Sequence, residues 1–196
     1  KQLYGKAYLV RFADDFLIMF QYERDAQRVY EAVIKRMELF GLELSKEKTR
    51  ILPFGRYSVS RETFDFLGFT HFNSKTRKGY YSVGHKISRK KKKQFKSNLK
   101  KWVKENRDKQ FDEFMKKLNK KLTGSFNYYS LSGMIREVRN LWQHSLYVTF
   151  KWLNRRSQRR SFKLERFYEI WNVRIIHPYI HVDIWSGDKV IYNKNV

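Results

Sequence analysis

The sequence predicts an α+β fold in which β-hairpins and one packed helix are followed by a basic bundle of three helices. Apolar residues follow strand-like and short helical patterns up to about residue 87, and a helical period begins at Ser88. The charge changes in the same region. Residues 1–70 carry twelve basic and ten acidic residues, whereas residues 71–196 carry 31 and nine. Two parts of different character therefore meet near residues 73–90.

The composition indicates a folded protein with a polyanionic partner. Hydrophobic residues make up 41% and aromatic residues 17% of the chain, which is too apolar for a disordered polycation. A net charge of +24 points to nucleic acid first. The absence of cysteine excludes disulfides, thiol catalysis and cysteine-based zinc sites. No apolar run is long enough to span a membrane and no signal peptide is visible, so we expect no membrane partner.

The first part of the chain reads as hairpins around a helix. Tyr8–Phe20 is apolar on both sides of two acidic residues, which predicts two short strands joined by a tight turn. Arg24–Phe40 repeats apolar residues at the spacing of an amphipathic helix, and Gly41 is a suitable residue to end it. Phe64–Phe72 alternates as one strand, and a loop then leads to Tyr80–Val83, which gives a second hairpin candidate.

The second part shows three helical stripes of apolar residues. They run through Phe95–Val103, Phe111–Tyr129 and Ile135–Leu153, with breaks at residues 105–109 and 130–133. Amphipathic helices with short connections predict a small bundle. The domains expected are therefore residues 1–87, residues 88–160 and an unassigned extension over residues 161–196.

Two basic clusters lie within this helical part. Ser88–Lys109 holds eleven basic residues and Phe150–Lys163 holds six, and aromatic residues interleave with both. The aromatic residues give each segment a core-facing side, which favours contact with a nucleic-acid backbone. A solvated basic face, a localisation signal and a membrane-surface helix remain alternatives. The residues expected to contact nucleic acid are Arg89, Lys90, Lys91, Lys92, Lys93, Lys96, Lys100, Arg155, Arg156, Arg159 and Arg160.

The candidate chemistry lies in the adjacent carboxylates Asp14 and Asp15. Their apolar flanks make two charges costly to hold unless a cation neutralises them, and Mg²⁺ prefers carboxylate oxygen. Paired metal ions of this kind drive phosphoryl transfer. A plain turn that uses aspartate for its local hydrogen bonding is the alternative.

Three motifs in order give these carboxylates a context. They are RFADDF at residues 11–16, GLELSKEKT at residues 41–49 and FDFLGF at residues 64–69. Further on, LNKKLTGSFNYY at residues 118–129 and WLNRRS at residues 152–157 follow. In these motifs the chain resembles the reverse transcriptases encoded by bacterial group II introns, over residues 8 to about 160. The resemblance implies that residues 1–87 are the end of a polymerase palm and that residues 88–160 are a helical thumb, or maturase domain.

The resemblance also implies roles for single residues. Asp14 and Asp15 match the metal-binding aspartates, and Lys48 matches a lysine that assists the departing pyrophosphate, although an ordinary surface lysine is the alternative. Phe12 stands where the family usually has tyrosine, so the ring is kept and the hydroxyl is lost. The positions implied to contact the nucleotide or the primer are Phe12, Ala13, Phe66, Leu67 and Gly68, of which the last three match the primer grip and also suit core packing.

The resemblance implies an RNA-directed DNA polymerase that uses Mg²⁺, an RNA template and a DNA or RNA primer, with structured intron RNA as a further partner. The family's palm needs another aspartate and a fingers domain from upstream, so we expect this chain to need an N-terminal part and to be inactive alone. We expect a bacterial, cytoplasmic protein associated with RNA or the nucleoid. The alternatives are an RNA-binding maturase that assists splicing and a reverse transcriptase of a defence or CRISPR-associated system.

Overall fold

The computed structural model describes residues 2–45, 47–156 and 161–183. The chain divides into two compact units between Gly84 and His85. The α+β class predicted from the sequence is confirmed. The elements in chain order are β1 (Ala7–Phe12), β2 (Asp15–Phe20), α1 (Glu23–Leu39), β3 (Thr63–Phe66), β4 (Phe69–Lys75), β5 (Tyr81–Ile87), α2 (Arg89–Asn106), α3 (Phe111–Tyr129), α4 (Ile135–Leu153) and α5 (Leu164–Arg174).

Strands β1 and β2 form the predicted hairpin. They pair antiparallel from Ala7 opposite Phe20 to Phe12 opposite Asp15, and a two-residue turn joins them. Residues directly opposite each other share a face of the sheet. The side chains of Phe16, Ile18 and Phe20 are less exposed than those of β1, and α1 packs against β2. The opposite face of the hairpin is therefore left open within this unit.

A buried carboxylate fixes the hairpin to the start of α1. Asp25 is 1% exposed, and its Oδ2 accepts hydrogen bonds from the backbone N–H groups of Tyr4 at 3.0 Å and Gly5 at 2.9 Å. The guanidinium of Arg24 lies 3.6 Å from the centre of the Tyr4 ring. A Cβ on Gly5 would lie 2.6 Å from the ring of Tyr22 and 2.9 Å from the Cβ of Gln21, so a larger residue would force these side chains to shift.

Strands β3, β4 and β5 form a three-stranded sheet in that order. The single strand predicted over Phe64–Phe72 is wrong, because the chain reverses at Leu67 and Gly68, where φ is +50° and +82°. Positive φ at both central residues is typical of the tight turn that matches the twist of a hairpin. The side chain of Asn73 on β4 accepts hydrogen bonds from Gly55 N–H and the Tyr81 hydroxyl, which ties the preceding loop to the sheet.

Helices α2, α3 and α4 confirm the three helices predicted from periodicity. Ser88 caps α2 by accepting from the N–H of Lys91, and Gln110 caps α3 by accepting from the N–H of Glu113. Their apolar faces meet in a close-packed core. The fully buried members from these helices are Leu99, Val103, Phe114, Met115, Leu118, Leu122, Phe126, Val138 and Leu153.

A fourth helix, α5, completes this core from the segment that the sequence left unassigned. Phe167 and Trp171 on α5 are fully buried. The ring of Phe167 lies 5.6 Å from that of Phe150, and the ring of Trp171 lies 6.1 Å from that of Trp142, both on α4. Beyond α5 the chain returns along α3, where Asn119 Oδ1 accepts a 2.8 Å hydrogen bond from Ile176 N–H. Among the described helices, none combines the length and apolarity needed to cross a membrane.

Replacing Asp25 should loosen the first unit at a defined place. In Asp25→Ala the amides of Tyr4 and Gly5 lose their acceptor, so their hydrogen exchange should speed up by about tenfold or more, since a buried hydrogen bond to a charged group contributes about 1.5–3 kcal/mol. Asp25→Asn keeps an acceptor oxygen and should have a smaller effect. Equal exchange rates in the parent and the alanine variant would contradict this role.

Removing the Trp171 side chain should destabilise the helical unit. Trp171→Ala leaves a cavity in a closed aromatic cluster, and the free energy of unfolding in urea should fall by about 3–5 kcal/mol. Tyr168, on the same helix, is about half exposed and supplies the matched control. Tyr168→Ala should cost far less, and a loss for Trp171→Ala as small as that for Tyr168→Ala would show that α5 is not part of the core.

Candidate active site and nucleic-acid interface

The two carboxylates occupy the tip of the β1–β2 hairpin. Asp14 lies in the turn, and Asp15 is the first residue of β2, opposite Phe12. Ala13 adopts a φ of +50°, a left-handed conformation that costs a residue with a side chain about 1–2 kcal/mol. The turn thus places Asp14 at the outermost position of the hairpin and starts β2 at the neighbouring carboxylate.

Both carboxylates are exposed and available to a ligand. Neither makes a hydrogen bond or an ion pair with another residue of the described part of the chain. Carboxylate oxygens are the ligands that Mg²⁺ prefers, so the donor type fits this ion. Within residues 2–45, 47–156 and 161–183, no group of three or more histidine, aspartate or glutamate residues could hold a metal by itself. The pair therefore fits a shared metal site to which water, substrate or further carboxylates contribute.

Asp15 shares its face of the hairpin with a strip of apolar side chains that are exposed except for the half-buried Leu17. Because cross-strand partners lie on one face, Asp15 and Phe12 are neighbours there, followed by the Val10–Leu17 and Tyr8–Met19 pairs. The ring of Phe12 is 64% exposed. The carboxylate therefore stands at the end of an open apolar surface that includes a flat ring.

Lys48 is exposed and lies in a turn in which its N–H donates to the carbonyl of Ser45 at 3.0 Å. No hydrogen bond or ion pair joins its ammonium group to Asp14, Asp15 or any other residue that the structure describes. Lys48 is thus an available cation in the same unit as the carboxylates, and the structure does not join it to them.

The candidate primer-contact residues form the β3–β4 turn. Leu67 and Gly68 are its two central residues, and Phe66 pairs with Phe69 across its base. At the neighbouring pair, the Asp65 carboxylate accepts a hydrogen bond from the hydroxyl of the buried Thr70. This hydrogen bond and the paired backbone give the turn a defined shape.

Most of the basic residues predicted on α2 line an exposed face. At 3.6 residues per turn, Arg89, Lys93, Lys96 and Lys100 fall on one side of the helix, and all are exposed. Lys90 and Lys91 are exposed as well, whereas Lys92 is half-buried and pairs with Glu137 of α4. Lys92 thus joins two helices, and the other six α2 residues present their charge to solvent.

The basic residues at the end of α4 divide between two roles. Arg156 donates to the backbone carbonyls of Leu153 at 3.2 Å and Arg107 at 3.4 Å, so it links the ends of α4 and α2. Arg155 is exposed, with its guanidinium 5.5 Å from the centre of the Trp152 ring. Arg159 and Arg160 lie outside the described residues.

Two further features were missed from the sequence. Lys104 and Arg107 also approach the Trp152 ring, at 5.7 Å and 5.5 Å from its centre. Lysines 116, 120 and 121 form a basic face on α3, although only their helical spacing in the sequence hinted at it. Burial, helped by the charge of Lys96, lowers the pKa of His144 and so favours its neutral form. Arginine and lysine therefore carry the charge of these surfaces.

Two protein-family models match the chain, one before and one after the boundary between its two compact units. A family model described as reverse transcriptase (RNA-dependent DNA polymerase) matches residues 1–71, which contain the carboxylate hairpin, α1 and β3. A model described as group II intron, maturase-specific domain matches residues 92–170, which span most of α2, all of α3 and α4, and the first part of α5. No curated protein matches the chain. With both domains present in this order, the chain belongs to the reverse transcriptase and maturase proteins of group II introns.

Proposed function

We propose that the chain acts in RNA-directed DNA synthesis, with Asp14 and Asp15 as metal ligands of the polymerase site. The observation that carries the proposal is the exposed pair of carboxylates at the hairpin tip, without partners in the described residues and inside the region matched by the reverse transcriptase model. The domains expected from the sequence, a palm over residues 1–87 and a thumb over residues 88–160, belong to the same proposal.

The carboxylates would hold Mg²⁺ through their oxygens. When bound, the metal supplies the positive charge that activates the primer 3′-hydroxyl and stabilises the leaving pyrophosphate. Asp14 at the turn and Asp15 at the start of β2 are held by one short backbone segment, so their separation is restricted before a ligand binds. We infer that a further carboxylate of the site comes from another palm strand, since the described residues hold no third one near the pair.

The groups around the carboxylates suit the placement of the reacting strands. Phe12 presents an exposed ring beside Asp15, and stacking of a base on an aromatic ring contributes about 1–3 kcal/mol. Lys48 would neutralise charge on the departing pyrophosphate, because its ammonium group is not engaged by any described residue. The Phe66–Leu67–Gly68 turn would support the 3′ end of the primer as a rigid edge.

The exposed face of α2 would hold the duplex of template and primer. Residues 89–104 span about 22 Å along the helix at 1.5 Å per residue, so this face follows several phosphates of a strand. Lysine ammonium groups on flexible stems bind phosphates as point charges without reading sequence. Such a surface suits a polymerase, which must accept any template.

A second function, binding of structured intron RNA during splicing, is favoured by the maturase-specific match over residues 92–170. Proteins recognise folded RNA mainly through its shape and its backbone, and basic helices can bind the phosphates of that backbone. This role would not need Asp14, so the two functions separate when that residue is changed. The same match favours a group II intron protein over a defence-type reverse transcriptase.

Neutralising Asp14 should abolish DNA synthesis and spare RNA binding. In Asp14→Asn the metal loses a charged ligand, and primer extension on an RNA template should fall by more than about 100-fold, within the range set by removal of one main electrostatic contributor. The assay uses this chain with a fingers and upstream palm polypeptide added. Glu31→Gln, an exposed neutralisation on α1, should leave extension unchanged.

A metal-binding readout on the chain alone separates failure of assembly from failure of the proposal. Mn²⁺, which prefers the same oxygen ligands, should broaden the amide resonances of residues 12–16 in the parent chain and much less in Asp14→Asn. Full extension activity in the Asn variant, or equal broadening in both chains, would refute the role of Asp14.

Removing three charges from α2 should weaken binding to an RNA–DNA duplex and flatten its salt dependence. For Lys93→Gln/Lys96→Gln/Lys100→Gln, the slope of log affinity against log salt should fall by about 0.9 for each phosphate that a lysine no longer neutralises. Lys35→Gln/Lys75→Gln/Arg166→Gln removes the same charge from other exposed positions and should change the slope little. Identical slopes for the two triple variants would show that α2 is not the binding face.

A further inference from the structure

A cavity of about 260 Å³ lies between α3 and α5, on a different part of the helical unit from the α2 face. It is lined by Met115, Lys116, Asn119, Lys120 and Arg174, and is called the α3–α5 pocket below. The α5 side of the pocket comes from the segment that the sequence left unassigned. Residues more than fifty positions apart thus meet in one concave site.

The pocket is lined by three cations, of which one is paired with an aspartate. Lys116 and Lys120 are exposed, stand one helical turn apart, and make no ion pair with any residue in the described part of the chain. Arg174 Nη1 lies 2.8 Å from Asp112 Oδ1. That interaction engages one of the guanidinium nitrogen atoms, and the Arg174 side chain lines the cavity. Arginine and lysine together at a concave site are the donors that bind phosphate.

Asn119 adds a neutral donor to the same wall. Its Oδ1 accepts the hydrogen bond from Ile176 N–H at 2.8 Å, so the carbonyl end of the amide is occupied. The amide nitrogen is thereby placed away from that hydrogen bond, and it has no partner among the residues that the structure describes. A group with two available N–H hydrogens beside three cations complements an oxyanion.

Gly124 extends the exposed face of α3 beyond the pocket. It lies one turn beyond Lys120 within α3, where glycine is less favourable than alanine. A Cβ at this exposed position would meet nothing within 4 Å, so packing against the described residues does not require glycine. Tyr128, 52% exposed, follows one turn later. A strand that touches the pocket, Gly124 and Tyr128 would follow α3 for about 18 Å.

We propose that the α3–α5 pocket binds a phosphate of an RNA backbone, and that the strand continues over Gly124 to Tyr128. The proposal rests on the proposed function for the nature of the polymer, RNA, and adds a second binding site separate from α2. Gly124 lets the sugar-phosphate backbone approach the helix, and Tyr128 offers its ring to a base or ribose.

The first test changes the pocket charge without disturbing the fold. Asn119→Asp keeps the acceptor for Ile176 N–H but places a negative charge against the phosphate, so affinity for a structured RNA, measured by fluorescence anisotropy, should fall about tenfold. Its urea midpoint should match that of the parent. Lys116→Gln/Lys120→Gln should lower the salt slope by about 0.7–0.9, as expected when one phosphate is no longer neutralised. The matched control Lys35→Gln/Arg166→Gln should not.

The second test uses the glycine. Gly124→Ala should raise the urea midpoint, because alanine favours the helix, and yet weaken RNA binding several-fold, because its methyl group obstructs the backbone. A purely structural role for this helix face cannot give both changes together. Unchanged RNA affinity in Gly124→Ala and Asn119→Asp would overturn the proposal.

Further measurements distinguish an RNA site from a site for free anions, and failure of the pocket proposal from failure of the proposed function. Titration with inorganic phosphate and with a nucleoside triphosphate, followed by the amide resonance of Asn119, tests free anions. Tight binding of either, with RNA affinity insensitive to the pocket variants, would overturn the assignment to RNA. Loss of RNA binding in the α2 triple variant with none in the pocket variants would refute the pocket and keep the proposed function. No RNA binding by the parent chain would refute both.

Discussion

The helical unit has to keep a dense set of like charges beside a close-packed aromatic core, and this constraint governs its architecture. On α2, Leu99 and Val103 are buried, while the lysines between them project outward. The apolar and the charged residues therefore occupy different sides of the same helix. Few ion pairs offset the remaining repulsion within the described residues, and the Lys92–Glu137 pair joins α2 to α4. Phosphates of a bound strand would relieve the repulsion, which links the stability of the unit to its ligand.

The first unit solves a different problem, since it must hold two carboxylates at an exposed tip. A two-stranded hairpin alone is only marginally stable in water. Asp25 compensates by binding the backbone just before β1 to the first turn of α1, where a negative charge also interacts favourably with the helix dipole. One acidic residue thus serves structure at the base of the hairpin, and two others stand exposed at its tip.

Local patterns predicted much of this molecule. The hairpin around Asp14 and Asp15, helix α1 and helices α2 to α4 all follow from periodicity in the sequence. The reversal at Leu67–Gly68 does not follow from the pattern of FDFLGFTHF, because this segment alternates roughly as one strand and leucine rarely takes a positive φ. Helix α5 was missed although Leu164, Phe167 and Trp171 recur at helical spacing, because this short stripe leads into an irregular aromatic segment with Pro178.

The roles of single basic residues depend on tertiary structure. Spacing alone cannot distinguish Arg155, which is exposed, from Arg156, which bonds to backbone carbonyls on two helices. The α3–α5 pocket lies beyond local patterns for the same reason, since Lys120 and Arg174 meet only in the folded chain.

The burial of α5 has a consequence for any dissection of the protein into parts. A polypeptide that stops after α4 would leave the rings of Trp142 and Phe150 facing water, where Trp171 and Phe167 otherwise cover them. Such a fragment should self-associate through that apolar surface, and its apparent binding to RNA would report aggregation. A fragment that keeps this core closed therefore has to include α5 with Phe167 and Trp171.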